Sequence, residues 1–186
     1  MDPQLADILR EIEDASLQHG GMPKIARETG QFLNILIKST GAKNILQVGA
    51  GDGYLALWMS EAVDIHGGKL ACVEGDVWRF DLAKEMIDRS PYTDCVELMQ
   101  GDPTEILAVI EGPFDFVLLN ENKGQTLRYF LLLAEKISSG ALVCCYPAMN
   151  NATALTDYLD YVHDTMGLES ILVPIGDGIE MTYKVP

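Results

Sequence analysis

The chain is short of positive charge, of proline and of long apolar runs, and each shortage excludes a class of function. Lys and Arg number 13 against 28 Asp and Glu, a formal net charge of −15 over 186 residues. Such a chain repels nucleic-acid backbones and anionic membrane surfaces, and no basic patch with interleaved aromatics offsets the repulsion. No apolar stretch approaches the ~20 residues that a membrane span requires. The opening residues, MDPQLADILREIEDASLQ, carry acids where a secretory signal needs a basic start, so a cytoplasmic protein is expected. Asn151-Ala152-Thr153 is therefore read as a helix start rather than a glycosylation site. Only 8 prolines and a 48% hydrophobic share argue against a disordered or collagen-like chain. The 4 cysteines include no CxxC pair, which disfavours a zinc site, and they read as buried free thiols. His19, His66 and His163 are scattered and suggest no triad, so surface or packing roles are expected for them.

What the chain does have is rhythm. Its length suits one buried core, read as a single domain over residues 1–186 with helices within 1–40. Leu5, Ile8, Leu9 and Ile12 recur at helical spacing, and a turn is expected at His19–Pro23. A second helix over Glu28–Ser39 turns Phe32, Leu33, Leu36 and Ile37 inward and ends at Gly41. Short apolar strands then alternate with helices. Strands are predicted at 45–48, 69–74, 95–99, 114–119 and 141–145, with helices at 54–63, 77–89, 104–110, 127–137 and 153–166. The final strands, 168–173 and 179–184, are joined across Pro174-Ile175-Gly176-Asp177-Gly178 as an antiparallel hairpin. The fold class is α/β: a three-layer sandwich whose mostly parallel seven-stranded sheet ends in that hairpin, with ligands approaching the strands' carboxyl ends.

Two features fall at those ends. Gly49-Ala50-Gly51-Asp52-Gly53 lies between strand and helix, where glycines permit a sharp turn and the helix start offers unpaired N–H groups to a ligand. Glu74 closes the second strand, where a carboxylate can accept bonds from both hydroxyls of an adenosine ribose. Gly101-Asp102 closes the third, and Asp102 can approach adenine or cap the following helix.

With these in place, the chain resembles the class I S-adenosylmethionine-dependent methyltransferases, and within them the catechol and caffeoyl-coenzyme A O-methyltransferase family. The resemblance runs through Thr29-Gly30-Gln31-Phe32-Leu33, the stretch from Gly41 to Gly49, Gly53-Tyr54, Phe114–Leu119, Lys123 and the terminal turn, about 160 residues in all. It implies a Rossmann-like fold, S-adenosyl-L-methionine as cofactor, a small-molecule methyl acceptor and a homodimer. By resemblance, Gly49, Ala50, Gly51 and Tyr54 surround the cofactor's methionine portion, Glu74 holds its ribose, and Gly101 and Asp102 border adenine. Trp78 is a candidate aromatic wall near adenine, whereas Trp58, Met59, Met86 and Met166 read as core filling. Asn120 and Lys123 take the catalytic positions, Lys123 as a base.

The resemblance also has gaps. Leu55 replaces a common serine and Gln47 a common glutamate. Where relatives coordinate a divalent cation, this chain has Asn120, Cys145 and Tyr146, which do not form a hard-cation oxygen cage, so no metal is assigned. The leading expectation is methyl transfer without a metal. Its rivals are a catalytically silent S-adenosylmethionine-binding homologue or partner protein and a nicotinamide-dependent oxidoreductase.

Overall fold

The computed structural model describes residues 1–19 and 25–186. The part of the predicted turn at Gly20–Pro23 lies outside the described residues, as does the His19 side chain. The helices are α1 (Pro3–His19), α2 (Arg27–Thr40), α3 (Tyr54–Ile65), α4 (Val77–Asp88), α5 (Pro103–Val109), α6 (Thr126–Leu133) and α7 (Thr156–Asp164). The strands are β1 (Asn44–Val48), β2 (Lys69–Glu74), β3 (Val96–Gln100), β4 (Phe114–Leu119), β5 (Ile137–Cys145), β6 (Leu168–Val173) and β7 (Ile179–Lys184). They form one sheet in the order β3-β2-β1-β4-β5-β7-β6, with β7 antiparallel to both β5 and β6 and the other pairs parallel.

The period-two alternation of the strands sorts the core into two layers. On one face Ile45, Leu70, Phe116 and Cys144 pack beneath α1 to α4. On the other, Leu46, Val73, Val117 and Cys145 pack against α5, α6 and α7. Adjacent Cys144 and Cys145 thus belong to opposite faces, and all four cysteines are buried and free. The predicted stripe of α1 is buried throughout, while in α2 Leu33 and Ile37 are fully buried and Phe32 and Leu36 partly so. Gly41 ends α2 in the left-handed conformation, φ 71°, its N–H returning to the Ile37 carbonyl.

The expectations err where polar residues disguise a strand or a helix stops early. The helix predicted to reach residue 137 ends at Leu133, and β5 begins at Ile137 rather than 141, because Ile137 pairs with Phe114 across an irregularity that absorbs Ser138-Ser139-Gly140. α7 ends at Asp164, which leaves Met166 in the following turn, 97% exposed, so its core-filling reading is corrected. Trp58 and Met59 are buried as expected, and Met86 is partly so. His66 meets the Lys38 carbonyl, and His163 pairs with the buried Glu180 at 2.9 Å; neither lines the cleft above the strands' carboxyl ends.

Candidate functional site

The carboxyl ends of β2, β1, β4 and β5 stand side by side, and each chain is tied to its neighbour as it leaves the sheet. The Gly49 and Ala50 amides donate to the Val73 carbonyl at 2.8 and 3.2 Å, the Asn120 amide to Val48 at 2.8 Å, and the Tyr146 amide to Leu119 at 3.0 Å. Above these ends lies a cleft of about 500 Å³ whose lining includes Ala50, Gly51, Glu74, Asn120, Lys123 and Tyr146. Its size is that of a small-molecule site, and its position is the one expected of an open α/β sheet.

At the β2 side the cleft is set by the backbone. Gly49 has φ +89°, and a Cβ there would lie 2.6 Å from the Asn120 carbonyl oxygen, so glycine is required for β1 and β4 to approach this closely. Glu74 is only 1% exposed. Its Oε2 accepts from the Gly51 amide at 2.8 Å and its Oε1 from the Asp76 amide at 3.0 Å. A carboxylate has about four lone-pair sites, so two are left for a ligand's hydroxyls. These residues fit the ribose of an adenosine cofactor.

Of the expected cofactor residues, Gly49, Tyr54, Gly101 and Asp102 are not among those that line the cleft. Tyr54 is buried, and its hydroxyl donates to Glu13 of α1 at 2.7 Å rather than opening into the cleft; burial and Glu13 push the phenol's pKa up. The Gly101 amide donates to the Glu74 carbonyl at 3.0 Å, which puts Gly101 just beyond the strand end without lining the cleft. Asp102 accepts from the Thr104 amide at 2.7 Å and caps α5. Trp78 is 56% exposed and also off the lining.

At the β4–β5 side the cleft is set by side chains. Asn120 reaches the Gly49 carbonyl through a long 3.5 Å contact. The Lys123 Nζ is sealed from solvent with no hydrogen-bond partner among the described residues. Burial lowers its pKa, opposed by Cys145 and Glu121. Burial raises Glu121 above the usual carboxylate range, with Glu74 adding to the effect, and pushes the Cys145 thiol up to about 11. Tyr146 is buried; its hydroxyl donates to Asp177 Oδ2 at 3.3 Å, and burial with Asp177 pushes it up to about 12. Asn150 donates to Asp177 Oδ1 at 2.8 Å.

The amide, thiol and phenol at positions 120, 145 and 146 do not fit a magnesium-type cation, which takes hard, mostly anionic oxygens. Among the described residues no cluster of three or more His, Cys, Asp or Glu is arranged to hold a metal.

The lining also contains residues outside the cofactor and catalytic set expected above, of which the sequence offers Glu121 and Asp177 only as an alternative cation arrangement. Arg79 sits in the first turn of α4, beyond the Asp76 cap, where nothing in the local pattern marks it. Asp52 and Glu121 lie within or beside segments already singled out, but only the fold turns them inward. Asp177 was legible as part of a turn and not as a wall of the cleft.

A doubly wound sheet with a glycine turn after β1 and a buried acid at the end of β2 defines a nucleoside-cofactor α/β protein. Within that class, the chain belongs to the O-methyltransferase family, whose model matches residues 2–185. A catechol O-methyltransferase of Niastella koreensis is 31% identical over 155 residues, covering 77% of this chain and 70% of that protein. Caffeoyl-CoA O-methyltransferase 1 of Eucalyptus globulus is 23% identical, covering 98% and 84%. Among solved structures, the SAH-bound methyltransferase PaMTH1 of Podospora anserina matches with a TM-score of 0.88 at 16% identity, covering 100% of this chain and 89% of its own. The O-methyltransferase TomG of Streptomyces achromogenes, in complex with SAM, matches at 0.81 and 19%, covering 100% and 91%. Both likenesses concern the fold.

Proposed function

We propose that this chain is a single-domain S-adenosylmethionine-dependent methyltransferase acting on a heteroatom of a small molecule. The observation that carries the reading is the buried Glu74 carboxylate, held by the Gly51 amide at the mouth of a cleft that continues to Lys123. Solved relatives of the same fold contain SAH or SAM, which supports the cofactor. When bound, that cofactor supplies a methyl group on a positively charged sulfur.

The chain's own residues do the rest. Glu74 binds ribose hydroxyls, Ala50 and Gly51 leave room against the backbone, and Gly49 holds β1 close to β4. Gly101, Asp102 and Tyr54 support this half from behind, through the Glu74 carbonyl, the α5 cap and α1 respectively. Asn120 borders the reacting centre. Lys123, driven toward its neutral form by burial, removes a proton from the acceptor. The enclosing walls exclude water and align the reactants, where most of the rate enhancement of such a displacement arises.

The reading includes a cytoplasmic setting, supported by four free buried cysteines. It also includes a homodimer, supported by the family resemblance, and no nucleic-acid partner, supported by the net charge of −15. No described helix is long and apolar enough to cross a membrane. Calorimetry with S-adenosylmethionine followed by mass spectrometry over an acceptor panel tests the function. Saturable binding with methyl transfer is expected; binding without transfer to any acceptor favours a silent homologue, and affinity for nicotinamide dinucleotide alone favours an oxidoreductase.

A further inference from the structure

Six charged groups line the cleft: Asp52, Glu74, Glu121 and Asp177 against Arg79 and Lys123. None of the six is within 4.0 Å of an opposite charge among the described residues. They are unevenly distributed. Arg79 acts on both Asp52 and Glu121, and Glu121 also feels Glu74 and Lys123, so these five act on one another across the ends of β2 and β4. Asp177 belongs to the turn that precedes β7, and its carboxylate meets Tyr146 just beyond β5, with β1 and β4 between it and β2. Its polar partners among the described residues are neutral, the Tyr146 hydroxyl at 3.3 Å and the Asn150 amide at 2.8 Å. A carboxylate facing a cleft with only neutral donors is suited to a cation.

We propose that the methyl acceptor is a small amine whose nitrogen is held toward the Asp177 end of the cleft; this inference rests on the methyl-transfer reading above. An oxygen acceptor brings or develops negative charge before transfer, and the residues at 120, 145 and 146 provide no hard cation to balance it. An amine needs no such counter-charge. In the displacement the nitrogen lone pair forms the new bond to the methyl carbon as the carbon–sulfur bond breaks and its electron pair returns to sulfur. Positive charge thereby moves from sulfur to nitrogen, where the Asp177 carboxylate stabilises it. The proton lost by the incoming ammonium passes to Lys123, whose Nζ has no other partner among the described residues.

Two measurements on the full chain test the proposal. With the protein saturated in S-adenosylhomocysteine, calorimetry should show benzyltrimethylammonium binding roughly 10-fold or more tightly than benzoate, and Asp177→Asn should erase the difference. With S-adenosylmethionine, a panel pairing small aromatic and aliphatic amines with phenol and catechol should yield N-methyl products by mass spectrometry. Asp177→Asn should lower kcat/KM for the amine roughly 10- to 100-fold while cofactor affinity and melting temperature are unchanged. Equal or tighter binding of benzoate, methylation confined to oxygen, no N-methyl product from any amine, or unaltered amine transfer in Asp177→Asn each overturns the proposal. Failure to bind S-adenosylmethionine would instead overturn the methyl-transfer reading beneath it.

Discussion

In one half of the cleft the Glu74 carboxylate is held by backbone amides at 2.8 to 3.0 Å, whereas in the other the side chains of Asn120 and Tyr146 make longer contacts, 3.5 and 3.3 Å, although their backbone amides are tied to the neighbouring strands as tightly. The first half depends on main-chain geometry and one buried acid, so it tolerates little change. The second half depends on which side chains occupy the ends of β4 and β5, and there the hard-cation oxygens expected from the family resemblance are replaced by an amide, a thiol and a phenol. Under the proposed function, binding and chemistry are built on the same sheet by different means, so that one can change while the other persists.

The comparison is broken most forcefully at Lys123. Lys123→Met is expected to reduce kcat about 10²- to 10⁴-fold, the usual range for a general base, with cofactor affinity nearly unchanged by calorimetry. Unchanged turnover would remove Lys123 from the chemistry. Because a base acts only when deprotonated, wild-type kcat should fall as pH drops through the Lys123 pKa. Burial lowers that pKa, so the plateau should begin below the ordinary lysine value of about 10.4. A pH–rate profile checks this, and the lysine-dependent limb should vanish in the variant.

Gly49→Ala should affect both halves at once, since the new methyl would press on the Asn120 carbonyl from a left-handed backbone position. A loss of about 3 kcal/mol is expected from denaturant unfolding. A stable variant would show that β1 and β4 can separate without cost. Glu74→Gln should act on the binding half alone, weakening S-adenosylmethionine roughly 10- to 100-fold as charge-assisted bonds become neutral ones. Comparable losses in affinity and in kcat at saturation would contradict the division. The smallest effect is expected at Asp102: removing the cap in Asp102→Ala should cost about 1 kcal/mol in thermal unfolding with little change in cofactor affinity. A large loss of affinity would place Asp102 against the adenine instead.

How far this was legible in the sequence differs along the chain. β2 and β4 run over the residues that their apolar pattern predicts, because near-continuous burial in a sheet leaves a run of apolar residues, and β6 and β7 do so because the Gly176-Asp177-Gly178 turn marks the hairpin between them. The first half of β5 was hidden, since Ser138-Ser139-Gly140 has a loop's composition and only pairing of Ile137 with Phe114 extends the strand. At the site, Gly49, Gly51 and Glu74 carry a local signature of strand, turn and strand end. Tyr54 shares that signature, yet its hydroxyl goes to Glu13, a partner 41 residues away. Arg79 had no signature and Asp177 only that of a turn, because long-range packing alone brings them to the cleft.

Residue spacing and side-chain type were enough to specify the α/β order, the glycine turn and the acid that follows it, for these depend on local periodicity, steric freedom and charge. Which carboxylates lack an opposite charge among the described residues, that Lys123 is buried without a partner among them, and that Asp177 faces the same cleft as Glu74 were decided by the folded sheet. Burial and electrostatic pairing are properties of neighbours in space, and here those neighbours come from strands 100 residues apart or more in places, as with Glu74 of β2 and the turn that leads into β7.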